Sequence, residues 1–187
     1  MCKKELRKKY KQLRGGLTTA ERLAAEKNIT KKLTELKQFK ECDTIFAFIS
    51  AKGEVSTEGM ILKAFELGKK VAVPLVLSSE EMCFIYINSL SDLKAGSFGI
   101  QEPEYNAEKI ALPTNKSVML VPGLAYDNGL YRLGYGGGYY DRYMAKHPSP
   151  FKVGIGFQVQ YSEEPLPRDK YDLPLDLFIT EKTTIGV

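Results

Sequence analysis

The run from Arg132 to Asp141, RLGYGGGYYD, sets an arginine and an aspartate on either side of four glycines within five positions. Gly134, Gly136, Gly137 and Gly138 let the backbone turn tightly and bring amide N–H groups up to an anion with no Cβ in the way. Arg132 can grip phosphate oxygens through two parallel N–H bonds, and Asp141 can hold the Mg²⁺ that accompanies a polyphosphate. An aspartate in the first turn of a helix also suits the helix dipole, so Asp141 carries two readings. The chain holds no GxxxxGK[ST], and the glycine spacing does not match GxGxxG; neither a P-loop nor the dinucleotide fingerprint is present.

The elements around the loop predict where it sits. SVMLVPG, Ser117 to Gly123, reads as a buried strand, and YYDRYMAKH, Tyr139 to His147, reads as a helix. The glycines then lead into a helix N-terminus, whose unsatisfied amides and partial positive charge attract phosphate. Near the start of the chain, Leu6, Tyr10, Leu13 and Leu17 recur at helical spacing and predict a buried stripe. Lys3, Arg7, Lys11 and Arg14 form a second stripe, centred about 80° from the first on a wheel of about 100° per residue. Lys3 and Arg7 lie one turn apart, which suits two contacts with a polyphosphate, or else a solvated basic face. Glu54, in SAKGEVST, puts a carboxylate beyond a strand end, and Asp172 and Asp176 in DKYDLPLD offer either a second metal carboxylate or a turn cap.

Patterning gives the fold class. Thr18 and Glu21 make a capping box that opens a helix to about Leu36. TIFAFIS from Thr44 is a continuous apolar run of strand length, and Thr57 is placed to cap a helix carrying Ile61, Ala64 and Phe65 and stopped by Gly68. KVAVPLV, MCFIYIN (Met82 to Asn88), KVGIGFQ and LDLFIT supply further strands, while Gly96 to Pro113 reads as an irregular connection. Strand, helix, strand is the unit of a parallel sheet. The expectation is an α/β fold, a three-layer α/β/α sandwich with a mostly parallel sheet, as one domain over 1–187. Ligands bind such sheets beyond the carboxyl ends of the strands, here Ile49 to Glu54, Gly123 to Asp141 and Phe157 to Gln160.

Composition narrows the function classes. The 187 residues are 43% hydrophobic, enough for one sizeable core. The net charge of +4 is uneven, because residues 1 to 40 hold thirteen Lys/Arg against four Asp/Glu. Those cations raise RNA binding as an alternative, without the aromatic pattern of an RNA-recognition sheet to accompany them. Cys2, Cys42 and Cys83 show no CxxC pairing, so neither a disulfide framework nor a structural zinc site is expected, and a reduced, cytoplasmic setting fits. No apolar h-region and no run approaching roughly 18 apolar residues is present, which predicts a soluble, unprocessed protein with no membrane partner. The single His147 sits before Pro148 at a helix end and reads as structural or solvent-facing; with no other histidine, neither a Ser/His/Asp triad nor a His-rich metal site is expected, which disfavours hydrolytic nucleophile chemistry.

VPGLAYDNGLYRLGYGGGYYDRY, Val121 to Tyr143, resembles the signature of the 5-formyltetrahydrofolate cyclo-ligases, also called methenyltetrahydrofolate synthetases. KKELR at Lys3 to Arg7, FISAKGEVST at Phe48 to Thr57 and PLPRDKYDLPLD at Pro165 to Asp176 support the resemblance, in the family's order. It implies a sandwich related to sugar-phosphate isomerases and CoA transferases, and an ATP-dependent cyclisation of 5-formyltetrahydrofolate. It further implies ATP contacts from Lys3, Lys4, Glu5, Leu6 and Arg7, and from Arg132, Leu133, Gly134, Tyr135, Gly136, Gly137, Gly138, Tyr139 and Tyr140. Folate contacts would come from Ile49 and Glu54, Mg²⁺ ligands from Asp141 and Asp172, and the catalytic cations would be Arg132, Lys3 and Arg7. The implied partners are small molecules and not nucleic acid, with a monomer as the working unit. Ser56 stands where many relatives carry an acid, and Gly137 where some carry a lysine, which shifts phosphate neutralisation toward Arg132, Lys3 and Arg7. A folate- or nucleotide-binding module without turnover is the alternative.

Overall fold

The computed structural model describes residues 1–51, 53–96 and 99–186. Its helices are α1 (Lys3–Gly15), α2 (Thr19–Glu35), α3 (Lys37–Glu41), α4 (Glu58–Glu66) and α5 (Tyr139–Lys146). Strands β1 (Thr44–Phe46), β2 (Lys70–Val76), β3 (Met82–Ile87), β4 (Leu93–Ala95), β5 (Gln101–Pro103), β6 (Ile110–Ala111) and β7 (Ser117–Val121) occupy the first two thirds. They are followed by β8 (Ala125–Asp127), β9 (Arg132–Leu133), β10 (Phe151–Ile155), β11 (Tyr161–Ser162), β12 (Leu177–Ile179) and β13 (Thr184–Gly186).

Eight strands form the main sheet in the order β13-β12-β10-β7-β1-β2-β3-β6. The run from β12 to β2 is parallel, and β13, β3 and β6 extend its edges antiparallel. Side chains alternate between two apolar layers, as period-two strands must. In β7, Val118 and Leu120 face the layer that holds Ile29 and Leu33 of α2, Phe39 of α3 and Ile61 of α4. Met119 and Val121 face the other layer, with Tyr143 and Met144 of α5. Helices therefore cover both faces of a mostly parallel sheet, as expected. Burial on both faces is why runs such as TIFAFIS lack polar alternation.

Several local expectations are corrected. The ladder of β1 stops at Phe46, although the Ala47 amide still donates to the Ala72 carbonyl at 2.9 Å. Thr57 does not cap α4 with its side chain; its hydroxyl donates to the Phe48 carbonyl at 2.6 Å and pins the intervening loop. On α1, Leu13 is 42% exposed while Arg14 is only 8% exposed, because the guanidinium finds polar partners that the chain brings from far along the sequence. The region expected to be an irregular connection contains β5 and β6. Lys52, Ser97 and Phe98, which fall within the segments read above, lie outside the described residues.

A second, three-stranded sheet, β11-β8-β9, went unpredicted. The glycine run thus joins β9, and not the long strand β7, to α5. Tyr126 of β8 is fully buried, stacks on Phe178 with ring centroids 4.2 Å apart, and places its hydroxyl 3.0 Å from the Val121 carbonyl and 3.1 Å from the Ile155 carbonyl. It bridges the carboxyl ends of β7 and β10, and Gly154 makes room for it, since a Cβ there would lie 2.6 Å from the ring. Helix α1 docks on this small sheet through Leu6 and Tyr10 against Leu124, Leu133 and Leu166.

Candidate active site

The glycine loop lies at the carboxyl edge of the sheet and is gripped from two sides. From α1, Arg7 Nε donates to the Gly134 carbonyl at 2.9 Å, and its guanidinium passes so close to Gly136 that a Cβ there would sit 3.5 Å from it. From α5, Arg142 donates to the Gly137 carbonyl and to the Glu80 carbonyl of the β2–β3 turn, both at 2.7 Å. Tyr139 reaches the same turn through its hydroxyl on the Ser78 carbonyl, 3.0 Å away. Gly136 and Gly138 hold φ of 110° and 68°, in the left-handed region that a side chain would disfavour. Gly138 precedes α5, whose first-turn amides have no intrahelical acceptor.

Arg132 and Asp141, read as two separate tools, are bound to each other. Arg132 Nη1 and Nη2 donate to the two carboxylate oxygens at 3.0 and 2.9 Å, a bidentate pair with only 4% of the arginine side chain exposed. Asp141 also accepts the Leu173 amide at 3.2 Å, which brings the segment carrying Asp172 to the head of α5. Lys3 lies between Asp169 and Asp172, 2.6 Å from each. Glu5 closes the start of α1 by accepting the Cys2 amide at 2.8 Å, Leu6 is packed below, and Lys4 is exposed.

The Lys3 clamp sets a pH window. Burial works to lower the Lys3 pKa, but Asp169 and Asp172 together raise it above its ordinary 10.5. Burial works to raise that of Asp172, but the Lys3 and Asp169 hydrogen bonds and the charges of Lys3 and Arg132 hold it below its ordinary 3.8. A depressed carboxyl stabilises the fold above its unfolded pKa and loses that effect as pH falls through the folded one; a raised ammonium is lost as pH rises through its folded value. The clamp's contribution to the docking of α1 is therefore present in full between 3.8 and 10.5. Hydrogen exchange should show α1 amides losing protection below that window, with no change from there to neutrality.

Glu54 belongs to a third cluster. It accepts the Tyr135 hydroxyl and, through its other oxygen, the Ala51 amide at 2.7 Å; Arg14 Nη1 in turn donates to the Tyr135 hydroxyl at 2.7 Å. Burial and the charge of Glu54 push the Tyr135 pKa well up, so it stays a donor. Arg22 bonds the Arg14 and Gly53 carbonyls, the latter at 3.0 Å, and so fixes the loop that carries Glu54. Ile49 is half-buried against the first layer. Arg14, Arg22, Arg142 and Asp169 were not read as site residues. Arg14 alone left a signal, as a member of the basic stripe set beside the apolar one.

His147 packs on the Tyr143 ring, centroids 4.5 Å apart, and burial lowers its pKa. The three cysteines are free. A cleft of ≈ 630 Å³ lies at the opposite, amino edge of the sheet, lined by Ser117, Phe151 and Lys152 among others. The loops that meet at the carboxyl edge are instead filled by their own charged side chains.

A parallel sheet that gathers a gripped glycine loop, cations and carboxylates beyond its carboxyl edge is the arrangement of α/β proteins that bind ligands there. The chain belongs to the 5-formyltetrahydrofolate cyclo-ligase family, whose model matches residues 1–181. It is similar to the 5-formyltetrahydrofolate cyclo-ligase of Haemophilus influenzae, 30% identical over 178 residues that cover 92% of this chain and 94% of the relative. In structure it is similar to the Aquifex aeolicus 5,10-methenyltetrahydrofolate synthetase, with a TM-score of 0.86 and 33% identity over 100% of this chain and 93% of that one. The Mycoplasma pneumoniae 5,10-methenyltetrahydrofolate synthetase follows at 0.78 and 26%, over 97% and 99%. Among the described residues no helix is long and apolar enough to cross a membrane.

Proposed function

We propose that this chain cyclises 5-formyltetrahydrofolate to 5,10-methenyltetrahydrofolate at the expense of ATP and with Mg²⁺, releasing ADP and phosphate. The observation that carries the reading is the buried Arg132–Asp141 pair at the head of α5, beside a glycine loop held by an α1 cation. A formamide carbonyl is a poor electrophile and its oxygen a poor leaving group. Moving the γ-phosphoryl of ATP onto that oxygen gives an imidate-like phosphate, which N10 of the folate attacks to close the five-membered ring as phosphate departs. No side-chain nucleophile is needed; the protein must align two substrates and balance charge as it moves.

Lys3, Arg7 and Arg132 supply the cations. Residues 133–140, with Lys4, Glu5 and Leu6 at the head of α1, form the bed for ATP, and Ile49 and Glu54 face the folate. Asp141 and Asp172 are the carboxylates that would hold Mg²⁺, sharing it with their present partners Arg132 and Lys3, and the Leu173 amide on Asp141 draws their segments together. Among the described residues no group of three or more His, Cys, Asp or Glu could hold a metal, so an ion on these two carboxylates would take its other ligands from phosphate and water. Bound there, the ion would neutralise phosphate charge. Because these residues run from Lys3 to Asp172, the whole of 1–187 acts as one catalytic domain, a cytoplasmic monomer working on small molecules and not on nucleic acid.

Mixing the protein with MgATP and 5-formyltetrahydrofolate should develop the absorbance of the methenyl product. Folded protein that binds both ligands by calorimetry without forming product would be the binding module instead.

A further inference from the structure

Among the described residues, two buried side-chain polar atoms have no hydrogen-bond partner: Arg132 Nε and the Tyr140 hydroxyl. Both lie at the head of α5. Tyr140 immediately precedes Asp141, whose carboxylate holds Arg132. Its ring packs against both apolar layers and stands edge-on to Phe84, centroids 6.3 Å apart. A phenylalanine would fill that space equally well and would spare the fold an unpaired buried hydroxyl, so packing does not account for the oxygen. Burial first, and then the charge of Glu54, push the hydroxyl's pKa far up against the pull of Arg132. It keeps its proton, and it lies within electrostatic reach of both the folate-side carboxylate and the phosphate-side guanidinium.

Resting on the activity proposed above, we infer that the Tyr140 hydroxyl and Arg132 Nε donate to the non-bridging oxygens of the phosphoryl group in transit. In the first step the formyl oxygen forms a bond to the γ-phosphorus, and the bond from that phosphorus to the bridging oxygen breaks, its electron pair leaving on ADP. In the second, the N10 lone pair forms the new C–N bond, the C–O bond breaks with its pair going to phosphate, and the N10 proton passes to water. Tyr140 gives up no proton in either step. It stabilises charge on a group that is held by neither substrate alone, so its contact with ATP is to the γ-phosphoryl in transit and not to the part of the nucleotide that ADP retains.

The test is Tyr140→Phe, compared with wild type for kcat, for KM of both substrates, for ADP affinity by calorimetry and for Tm. The expected result is a kcat about 10²-fold lower, with ADP affinity and folate KM unchanged and Tm equal or higher. Weakened ADP binding would make Tyr140 a nucleotide anchor, and a raised folate KM at unchanged kcat would make it a folate contact; either overturns the inference. So would a drop in Tm that tracks the loss of activity, which would assign the hydroxyl to the fold. If wild type itself forms no methenyl product, the proposed activity fails and takes this assignment with it. If wild type turns over and the variant keeps its kcat, only the assignment of Tyr140 falls.

Discussion

Arg132→Ala should lower kcat/KM for MgATP by about 10²–10³-fold, the loss that follows removal of one transition-state donor from a water-poor site. Arg132 is buried, its two Nη atoms are spent on Asp141, and its unpartnered Nε is the donor assigned above to the phosphoryl group. The same substitution strands Asp141, whose side chain is 19% exposed. A carboxylate left partly buried without its partner destabilises by about 1–3 kcal/mol, less than a fully buried one because water reaches it. Stability and chemistry must therefore be separated, and Arg132→Lys does so. A lysine keeps the charge opposite Asp141 and should restore most of the Tm, but a single ammonium cannot serve a carboxylate and a phosphate in the fixed geometry of a fork. Its kcat/KM should stay at least about tenfold below wild type. Recovery of full activity by the lysine would reduce Arg132 to a counter-ion for Asp141.

The fold was legible where burial is two-sided and continuous. β1, β2, β7 and β10 each sit in apolar runs, because a parallel strand covered on both faces has no solvent side to mark with polar residues. The short strands β8, β9, β11 and β13 were not legible. They span two or three residues each, too few for any period to register; β8, β9 and β11 are held in place by Tyr126, Gln160 and Asp127, which bond backbone atoms distant in the chain, and β13 by its antiparallel pairing with β12. The candidate site was half legible. Glycines at positive φ and an arginine ahead of a helix can be read from residue type alone. That Arg132 and Asp141 hold each other, that Lys3 sits between two aspartates, and that Tyr135 joins Arg14 to Glu54 are facts of tertiary pairing. The basic stripe on α1 came nearest to revealing them: its offset from the apolar stripe aims Lys3, Arg7 and Arg14 inward, and each finds a partner across the site. Leu13 lost its place in the core to Arg14 because Nη1 of Arg14, donating to the Tyr135 hydroxyl and lying 4.0 Å from the Glu54 carboxylate, outweighs one more apolar contact at a helix edge.

Asp127→Asn should lower Tm by about 4–16 °C and raise the apparent KM for MgATP, although Asp127 is not one of the residues assigned to ATP or the metal. Its carboxylate is 1% exposed and takes four donors. Oδ1 accepts the Gly129 and Tyr131 amides at 2.9 and 3.0 Å, and Oδ2 accepts the Leu166 amide at 2.8 Å and Arg168 at 3.3 Å. The first pair shapes the turn between β8 and β9, where Leu130 is held at φ of 63°, a left-handed conformation that costs a non-glycine residue about 1–3 kcal/mol unless its surroundings fix it. The second pair moors the segment that continues to Asp169 and Asp172, and Arg168 adds its guanidinium over the Tyr131 ring at 3.9 Å. An asparagine fits the space but presents one oxygen and one NH₂, so whichever way it turns, two donors face a donor. Two unmet hydrogen bonds in a buried site amount to about 2–4 kcal/mol, and a chain of this size loses about 2–4 °C of Tm per kcal/mol. The kinetic effect follows from the mooring, since Asp172 and Asp169 position Lys3 and α1 carries Arg7 to the glycine loop. Measured well below the variant's Tm, where the protein is fully folded, the KM increase should persist and the folate KM should move less. A Tm within a degree or two of wild type would show that the turn and the mooring hold without Asp127, and a normal KM for MgATP in a destabilised variant would confine Asp127 to the fold.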